Sequence, residues 1–249
     1  MDSAIQGKLN TSVYGDIGCP DNPWKKDFYE LFRHWIQISK QYNIKYVLAC
    51  GSLLGAMRDG DVIPYDSDID VLVEHSYFSI LERLSVKRDF NPSDGKIRLV
   101  VQPEFPLNIS IDKRRMFNCE GKETIEKEED RCVFEEPMAR LIKGKQFLDV
   151  FPFYNRADVV EAPSQKRLKQ YHKNDFYPFR PCSFMGLQAS CPNNSWEVLR
   201  LYFGSDNLEP IYKCKNGSWE KTGVGMITII IIIIIGALGL LILYYYFYY

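Results

Sequence analysis

Histidine is scarce in this chain, with three in 249 residues. None lies beside a nucleophile motif, so neither a Ser–His–Asp nor a Cys–His catalytic arrangement is written here. No Cys-x-x-Cys pair occurs, which removes the usual spacing of a structural zinc site. Charge of one sign is also missing: 31 Lys and Arg stand against 32 Asp and Glu, a formal net charge of −1. That balance leaves no electrostatic footprint for nucleic acid. Internal repeats are absent, so a solenoid is excluded. Residues 1 to about 20 are polar and contain no apolar run, so no signal peptide is written there.

A hydrophobic share of 46% and a charged share of 25% are those of an ordinary globular protein. The length suffices for one sizeable core with an appended module. After the polar segment 1–22, Asn22-Pro23 reads as a helix N-cap followed by proline at the first helical position. Phe28, Leu31, Phe32 and Trp35 recur at i, i+3, i+4, i+7, which predicts an amphipathic helix over Trp24–Tyr42 with Asn43 as its stop. His34 lies beside that stripe as a surface or packing residue.

The chemistry concentrates between Tyr46 and Glu74: YVLACGSLLGAMRDGDVIPYDSDIDVLVE. A strand-like run, Tyr46 to Cys50, breaks at Gly51-Ser52. A short apolar helix and a Gly/Asp/Pro loop follow. A second strand opens with Asp66, Asp68 and Asp70 and runs into Val71, Leu72 and Val73. Residues i and i+2 of a strand share a face, so these carboxylates crowd together and call for a cationic partner. An all-oxygen set suits Mg²⁺ or Mn²⁺. At roughly 3.3 Å per residue, Asp68 and Asp70 converge on one ion, whereas Asp66 reaches it only if the chain bends. Gly51 and the amides that open the following helix form an anion cradle. An anion cradle beside a carboxylate pair is the equipment of phosphoryl or nucleotidyl transfer.

A third carboxylate is expected from a neighbouring strand. Asp149 alternates with apolar residues in FLDVFPF, while Asp112 precedes Lys113, Arg114 and Arg115 and reads as a charged loop. Arg58 follows the Gly-Ser helix and suits a donor phosphate, with a salt bridge to a nearby acid as its rival role. Arg98, Lys166, Arg167 and Arg180 are weaker candidates. Short helices are expected at Ser79–Leu84 and Trp196–Phe203, and strands at Ile97–Val101 and Leu107–Ile111. The charged segment between Cys119 and Cys132 reads as a solvated excursion without chemistry.

The string GSLLGAMRDGDVIPYDSDIDV resembles the signature of the LicD/fukutin/fukutin-related family, with Gly51, Ser52, Gly55, Arg58, Gly60, Pro64, Asp66, Asp68 and Asp70 in register. FLDVFPF (Phe147–Phe153) and LRLYFGSDNLEP (Leu199–Pro210) are similar to later family segments. Tyr65 stands where the family usually has Trp, Asp59 where it often has His, and Leu208 where Trp is common. The resemblance implies a nucleotidyltransferase-like α/β fold, a mixed sheet flanked by helices, over residues 23–212. It also implies transfer of a phospho-alcohol unit, of phosphocholine or ribitol phosphate type, from a CDP-linked donor to a glycan hydroxyl. Asp68, Asp70 and Asp149 would be catalytic, with Asp66, Asp68 and Asp70 as metal ligands and Gly51, Ser52 and Arg58 holding donor phosphates. Two rival readings are a nucleotidyltransferase acting on a protein or small molecule, and a membrane-anchored scaffold without turnover.

After a linker (213–223), residues 224–243 form an uncharged stretch, VGMITIIIIIIIGALGLLIL, followed by the aromatic tail 244–249. About 30 Å of helix at 1.5 Å per residue matches a bilayer, so one transmembrane helix is expected. Lys213, Lys215 and Lys221 precede it, which by the positive-inside rule leaves the domain cytosolic. Four Asn-x-Ser/Thr sequons (Asn10, Asn108, Asn193, Asn216) and seven cysteines oppose that. Cys119/Cys132 and Cys182/Cys191 are spaced to close short loops in an oxidising compartment. The sequons and cysteines favour a secretory-pathway membrane, with a signal upstream of this sequence, and the family resemblance implies the Golgi.

Overall fold

The computed structural model describes residues 18–86, 97–107, 109–164, 167–204 and 208–221. The 224–243 stretch and the sequons at Asn10 and Asn108 lie outside these residues. Among the described residues, no helix is long and apolar enough to cross a membrane.

Among the described residues, the larger unit holds five α-helices in chain order: α1 (Lys25–Gln41), α2 (Cys50–Arg58), α3 (Phe78–Val86), α4 (Lys173–Phe176) and α5 (Ser195–Phe203). Its strands are β1 (Tyr46–Leu48), β2 (Ile69–Glu74), β3 (Ile97–Val101), β4 (Met116–Phe117), β5 (Glu123–Thr124), β6 (Ala139–Lys143), β7 (Gln146–Asn155), β8 (Val159–Ser164), β9 (Arg167–His172), β10 (Arg180–Phe184) and β11 (Leu187–Cys191). The main sheet runs β1-β2-β7-β6-β3, and β8 and β9 extend it from the far end of β7. Among the described residues, only β2 and β7 pair in parallel. Parallel neighbours need a long crossover, and residues 75–145 supply it.

The expected helix over Trp24–Tyr42 is α1, whose apolar stripe buries Phe28, Leu31, Phe32, Trp35 and Ile38 completely. It packs on β6 and β7. Lys143 of β6 pairs with Asp27 and Glu30 on the helix. Since Lys143 shares its face with Ala139 and Leu141, α1 covers one side of the sheet, and Arg140 and Asp149 project from the other. Asn43 ends the region in a left-handed conformation, φ 51°.

Asn22 makes a cap-like local bond, its Oδ1 accepting the Trp24 amide at 2.9 Å, and also reaches further along the chain. Its amide nitrogen donates to the carbonyls of Ile63 (3.1 Å) and Asp66 (2.9 Å), while the helix N-cap position belongs to Trp24, which makes no side-chain cap. The residue is buried and ties the approach to α1 to the acidic loop. Leu107–Ile111 is not a strand. Leu107 lies in a turn and Ile111 opens a 3₁₀ turn (Ile111–Lys113); the amides of Leu107 and Ile109 are taken by the nearby carbonyls of Glu104 and Leu107 rather than by a ladder.

A smaller unit comprises, among the described residues, 18–19 and 209–221. The stretch expected as a linker forms a hairpin, β12 (Tyr212–Lys215) and β13 (Ser218–Lys221). Its turn is Asn216-Gly217 with φ of 50° and 77°, the positive pair that type I′ hairpins require. A disulfide fastens Cys19 to Cys214. In the larger unit Cys119–Cys132 and Cys182–Cys191 form as their spacing suggested, and Cys50 is free. Sequon residue Asn216 sits exposed at the turn, whereas Asn193 uses its amide on Arg180 and on the Asn174 carbonyl.

Candidate active site

Sheet register builds the site. Asp70 of β2 lies opposite Asp149 of β7, and Asp149 lies opposite Arg140 of β6. The three form one row across adjacent strands on the face away from α1. The β6–β7 turn contains two residues, Gly144 and Lys145, so Lys143 meets Gln146 and the ladder brings Arg140 to Asp149. Asp68 lies just before β2 and joins from the loop. Ligand oxygens of Asp68, Asp70 and Asp149 all lie within 4.8 Å of one another.

Asp149 is nearly inaccessible, and Arg140 grips it in a fork: Nε to Oδ1 at 2.5 Å and Nη2 to Oδ2 at 2.7 Å. The third arm, Nη1, donates to the Cys132 carbonyl at 2.7 Å. The guanidinium stacks on Phe147, 3.7 Å from its centroid, with Phe134 at 4.9 Å. Arg140 therefore fixes the orientation of one carboxylate and offsets part of the trio's charge.

Ser52 accepts the amide hydrogen of Asp70 at 2.9 Å and is buried. It locks the start of β2 to the first turn of α2. Gly51 stands where a Cβ would lie 2.4 Å from Asp66 Oδ2, so glycine lets that carboxylate rest against the helix start. Asp66 also accepts the Ser67 amide through Oδ1. The expected anion cradle of Gly51 and Ser52 thus has Asp66 packed on it. Asp66 is not one of the three converging acids.

Two cavities flank the trio and share Glu136 and Phe151 as a wall. One, about 320 Å³, is lined by Arg140, Asp149, Lys127 and Phe134. The other, about 80 Å³, is mostly apolar, lined by Leu53, Leu72, Val198 and Tyr202 among others. Phe151 and Leu72 lie two residues beyond Asp149 and Asp70 on their strands, so the small cavity adjoins the acids on the same face.

The nucleotidyltransferase-domain model described as LicD/FKTN/FKRP matches residues 43–194, more than half of the chain. The chain belongs to the LicD/FKTN/FKRP family. Among curated relatives, it is 25% identical over 183 residues to "Ribitol 5-phosphate transferase FKRP" of both Mus musculus and Homo sapiens, covering 72% of this chain and 32% of each relative. An uncharacterised protein of Rickettsia prowazekii (strain Madrid E) is 38% identical over 47 residues, 19% of this chain and 18% of that protein. The chain thus spans about one third of the length of the ribitol 5-phosphate transferases it matches.

Within this LicD-family domain, Asp68, Asp70 and Asp149 come together, while Asp112 is exposed in its 3₁₀ turn. Arg58 pairs with Asp59 (Nε–Oδ2 3.2 Å), its side chain largely buried, and donates to the Leu208 carbonyl at 3.3 Å. That is the salt bridge weighed against phosphate binding. Arg98 donates to the Cys119 carbonyl and Arg180 to Asn193. Lys166 and the Arg167 side chain lie outside the description. Cys50 lines the small cavity, and burial, then the Asp70 carboxylate, push its thiol well above the ordinary range, so it is no thiolate nucleophile. Sequence reasoning missed Arg140 and Asn22, although the two-residue turn after Lys143 encodes the pairing of position 140 with position 149.

The donor set fits a hard divalent cation: carboxylate oxygens only, no sulfur or imidazole, close enough to share one ion. Burial first, then Asp149 and Asp66, raise the Asp68 carboxyl to about 7; burial, then Asp68 and Asp149, push Asp70 well up; and burial raises Asp66 to about 6. These groups hold protons more tightly folded than unfolded, where the ordinary value is 3.8. Their stabilising contribution is therefore complete below about pH 4 and lost as pH rises through 6 and 7. Without metal, the melting temperature should fall between pH 5 and 7.5. With millimolar Mn²⁺ the loss should be reversed, since the ion binds the deprotonated acids. Scanning fluorimetry across that range checks both; a metal-free melting temperature that climbs from pH 5 to 7.5 would contradict the assignment.

Proposed function

We propose that this chain is a divalent-metal-dependent phosphotransferase that moves a phospho-alcohol unit from a CDP-linked donor to a glycan hydroxyl. The observation that carries it is the convergence of Asp68, Asp70 and Asp149 in a LicD-family domain whose relatives include proteins named ribitol 5-phosphate transferases. Asp68, Asp70 and Asp149 would hold Mg²⁺ or Mn²⁺. When bound, the ion neutralises charge on the phosphates and favours ionisation of the attacking hydroxyl.

The acceptor oxygen attacks the alcohol-bearing phosphorus, the bond from that phosphorus to the bridging oxygen breaks, and CMP departs with the electron pair. The hydroxyl proton passes to a carboxylate of the acidic cluster. Arg140 keeps Asp149 aimed throughout. The 320 Å³ cavity beside Asp149 lies within the range of small-molecule sites and suits the donor. The three disulfides and the exposed Asn216 sequon support work in a secretory compartment, and the 224–243 stretch supports a membrane anchor there.

The test follows CMP release from CDP-choline, CDP-ribitol and CDP-glycerol, with and without Mg²⁺, using protein made in an oxidising compartment. Metal-dependent release from one of them is the expected result. A folded protein that binds Mn²⁺ yet releases CMP from none would move the assignment to a nucleotidyltransferase with another donor, or to a scaffold.

A further inference from the structure

Three arginines surround the acidic centre, and they differ in what their N–H groups already do. Arg140 spends all three nitrogens, on Asp149 and on the Cys132 carbonyl. Arg58 is paired with Asp59 and bonded to the Leu208 carbonyl. Arg131 is the exception. Its Nη2 donates to the Ser67 carbonyl at 2.8 Å, and among the described residues its other N–H groups meet no protein acceptor. No carboxylate lies within ion-pair distance of it among those residues, although its charge reaches Asp68 and holds that carboxyl lower than burial alone would.

Its neighbours are pinned on both sides. Asp130 accepts the Cys119 amide through Oδ2 and the Cys132 amide through Oδ1, each at 2.9 Å. Cys132 is joined to Cys119 by the disulfide, and its carbonyl is held by Arg140. The guanidinium lies over Trp24, 4.5 Å from the ring centroid, with Phe147 at 5.7 Å. Stacking settles the plane of the fork and leaves its edge free, the disposition that suits bidentate anion binding.

We propose that Arg131 is the donor-diphosphate ligand of this site, a binding residue presented by the disulfide-closed 119–132 loop beside Ser67 and Asp68. The proposal rests on the phosphotransferase reading for the identity of the donor. The anion it would bind is a diphosphate, one end facing the Asp68, Asp70 and Asp149 carboxylates that would hold a cation and the other edge facing the Arg131 guanidinium. The charged segment read from sequence as solvated and without chemistry thus acquires a role, and the Cys119–Cys132 bond becomes the device that keeps Arg131 in place. Those two sulfurs and Asp130 also lie close enough together to hold a metal, but the sulfurs are joined to each other and both Asp130 oxygens are engaged.

The test compares wild type, Arg131→Ala and Arg131→Lys by two readouts. One is the KM for the CDP-alcohol that wild type uses. The other is the shift in melting temperature caused by inorganic pyrophosphate with Mn²⁺. Arg131→Ala should raise the donor KM about 10- to 100-fold, leave the acceptor KM unchanged and lose the pyrophosphate shift, with Arg131→Lys intermediate because a point charge lacks the fork. Equal donor KM and equal pyrophosphate shift in wild type and variants would overturn the proposal, leaving Arg131 as a stacking group. Should Arg131→Ala fail to fold, Arg131→Lys carries the same comparison. A wild type that releases no CMP from any donor, yet shows an Arg131-dependent pyrophosphate shift, contradicts the phosphotransferase reading and leaves the Arg131 assignment standing.

Discussion

Asp70→Asn should abolish turnover while raising the melting temperature of the metal-free protein. The two effects share one cause. Asp70 is half-buried and pressed between Asp68 and Asp149, and its carboxyl is pushed well above the ordinary range, by burial first and by those neighbours next. Replacing it by a neutral isostere removes like-charge repulsion that only a cation otherwise relieves. Its amide hydrogen bond to Ser52 involves the backbone and survives. On the proposed mechanism, catalysis would lose a ligand to an ion that would supply several kcal/mol of transition-state stabilisation, so the rate should fall on the order of 10³-fold or more. Opposite signs for stability and activity are the mark of residues kept for chemistry. CMP release and scanning fluorimetry at pH 7.5 without metal read the two sides; a variant that is less stable and fully active would place the acids in a structural role.

Arg140→Met should be the most destabilising single change on this face. Asp149 would be left buried, unpaired and opposite Asp70, and breaking a buried pair from one side costs about 3–5 kcal/mol. The Cys132 carbonyl would lose its donor as well. Adding Asp149→Asn to Arg140→Met should recover most of that loss, because the uncompensated charge goes with the partner, yet activity should stay absent since the trio is broken. Urea unfolding of wild type, the single variant and the double variant measures the cycle. A single variant within about 1 kcal/mol of wild type would mean that the fork carries little net energy and that Asp149 is held by other means.

Much of this site could be read without coordinates. The pairing of Asp68 with Asp70 follows from strand alternation, and Asp149 over Asp112 from alternation and the family-like FLDVFPF; Gly51, by contrast, reads as part of a phosphate cradle, whereas Asp66 packs on it and stays outside the trio. α1 was placed to within a residue of its observed ends, because its apolar stripe has one periodicity and nothing competes with it. The misses are of another kind. Asn22 makes the local bond a cap suggests, but its amide nitrogen reaches acceptors 41 and 44 residues away, which no local pattern carries. Arg140 stands in an apolar strand, where an unpaired guanidinium would be costly, and only the pairing across the β6–β7 turn explains it. Arg131 lies in a run of charge whose composition is that of a solvated surface. Its setting depends on a disulfide, a carboxylate bridging two amides and a ring from another part of the chain, none of which local sequence carries.

The proposed mechanism depends on the acid trio acting as a divalent-cation site, and Mn²⁺ binding measured by electron paramagnetic resonance at pH 7.5 tests it most directly. Titrating the ion into wild type and into Asp70→Asn should show binding by wild type, competed by Mg²⁺, and a loss of at least tenfold in affinity in the variant. Equal binding by the two proteins, or none by folded wild type, would contradict the account.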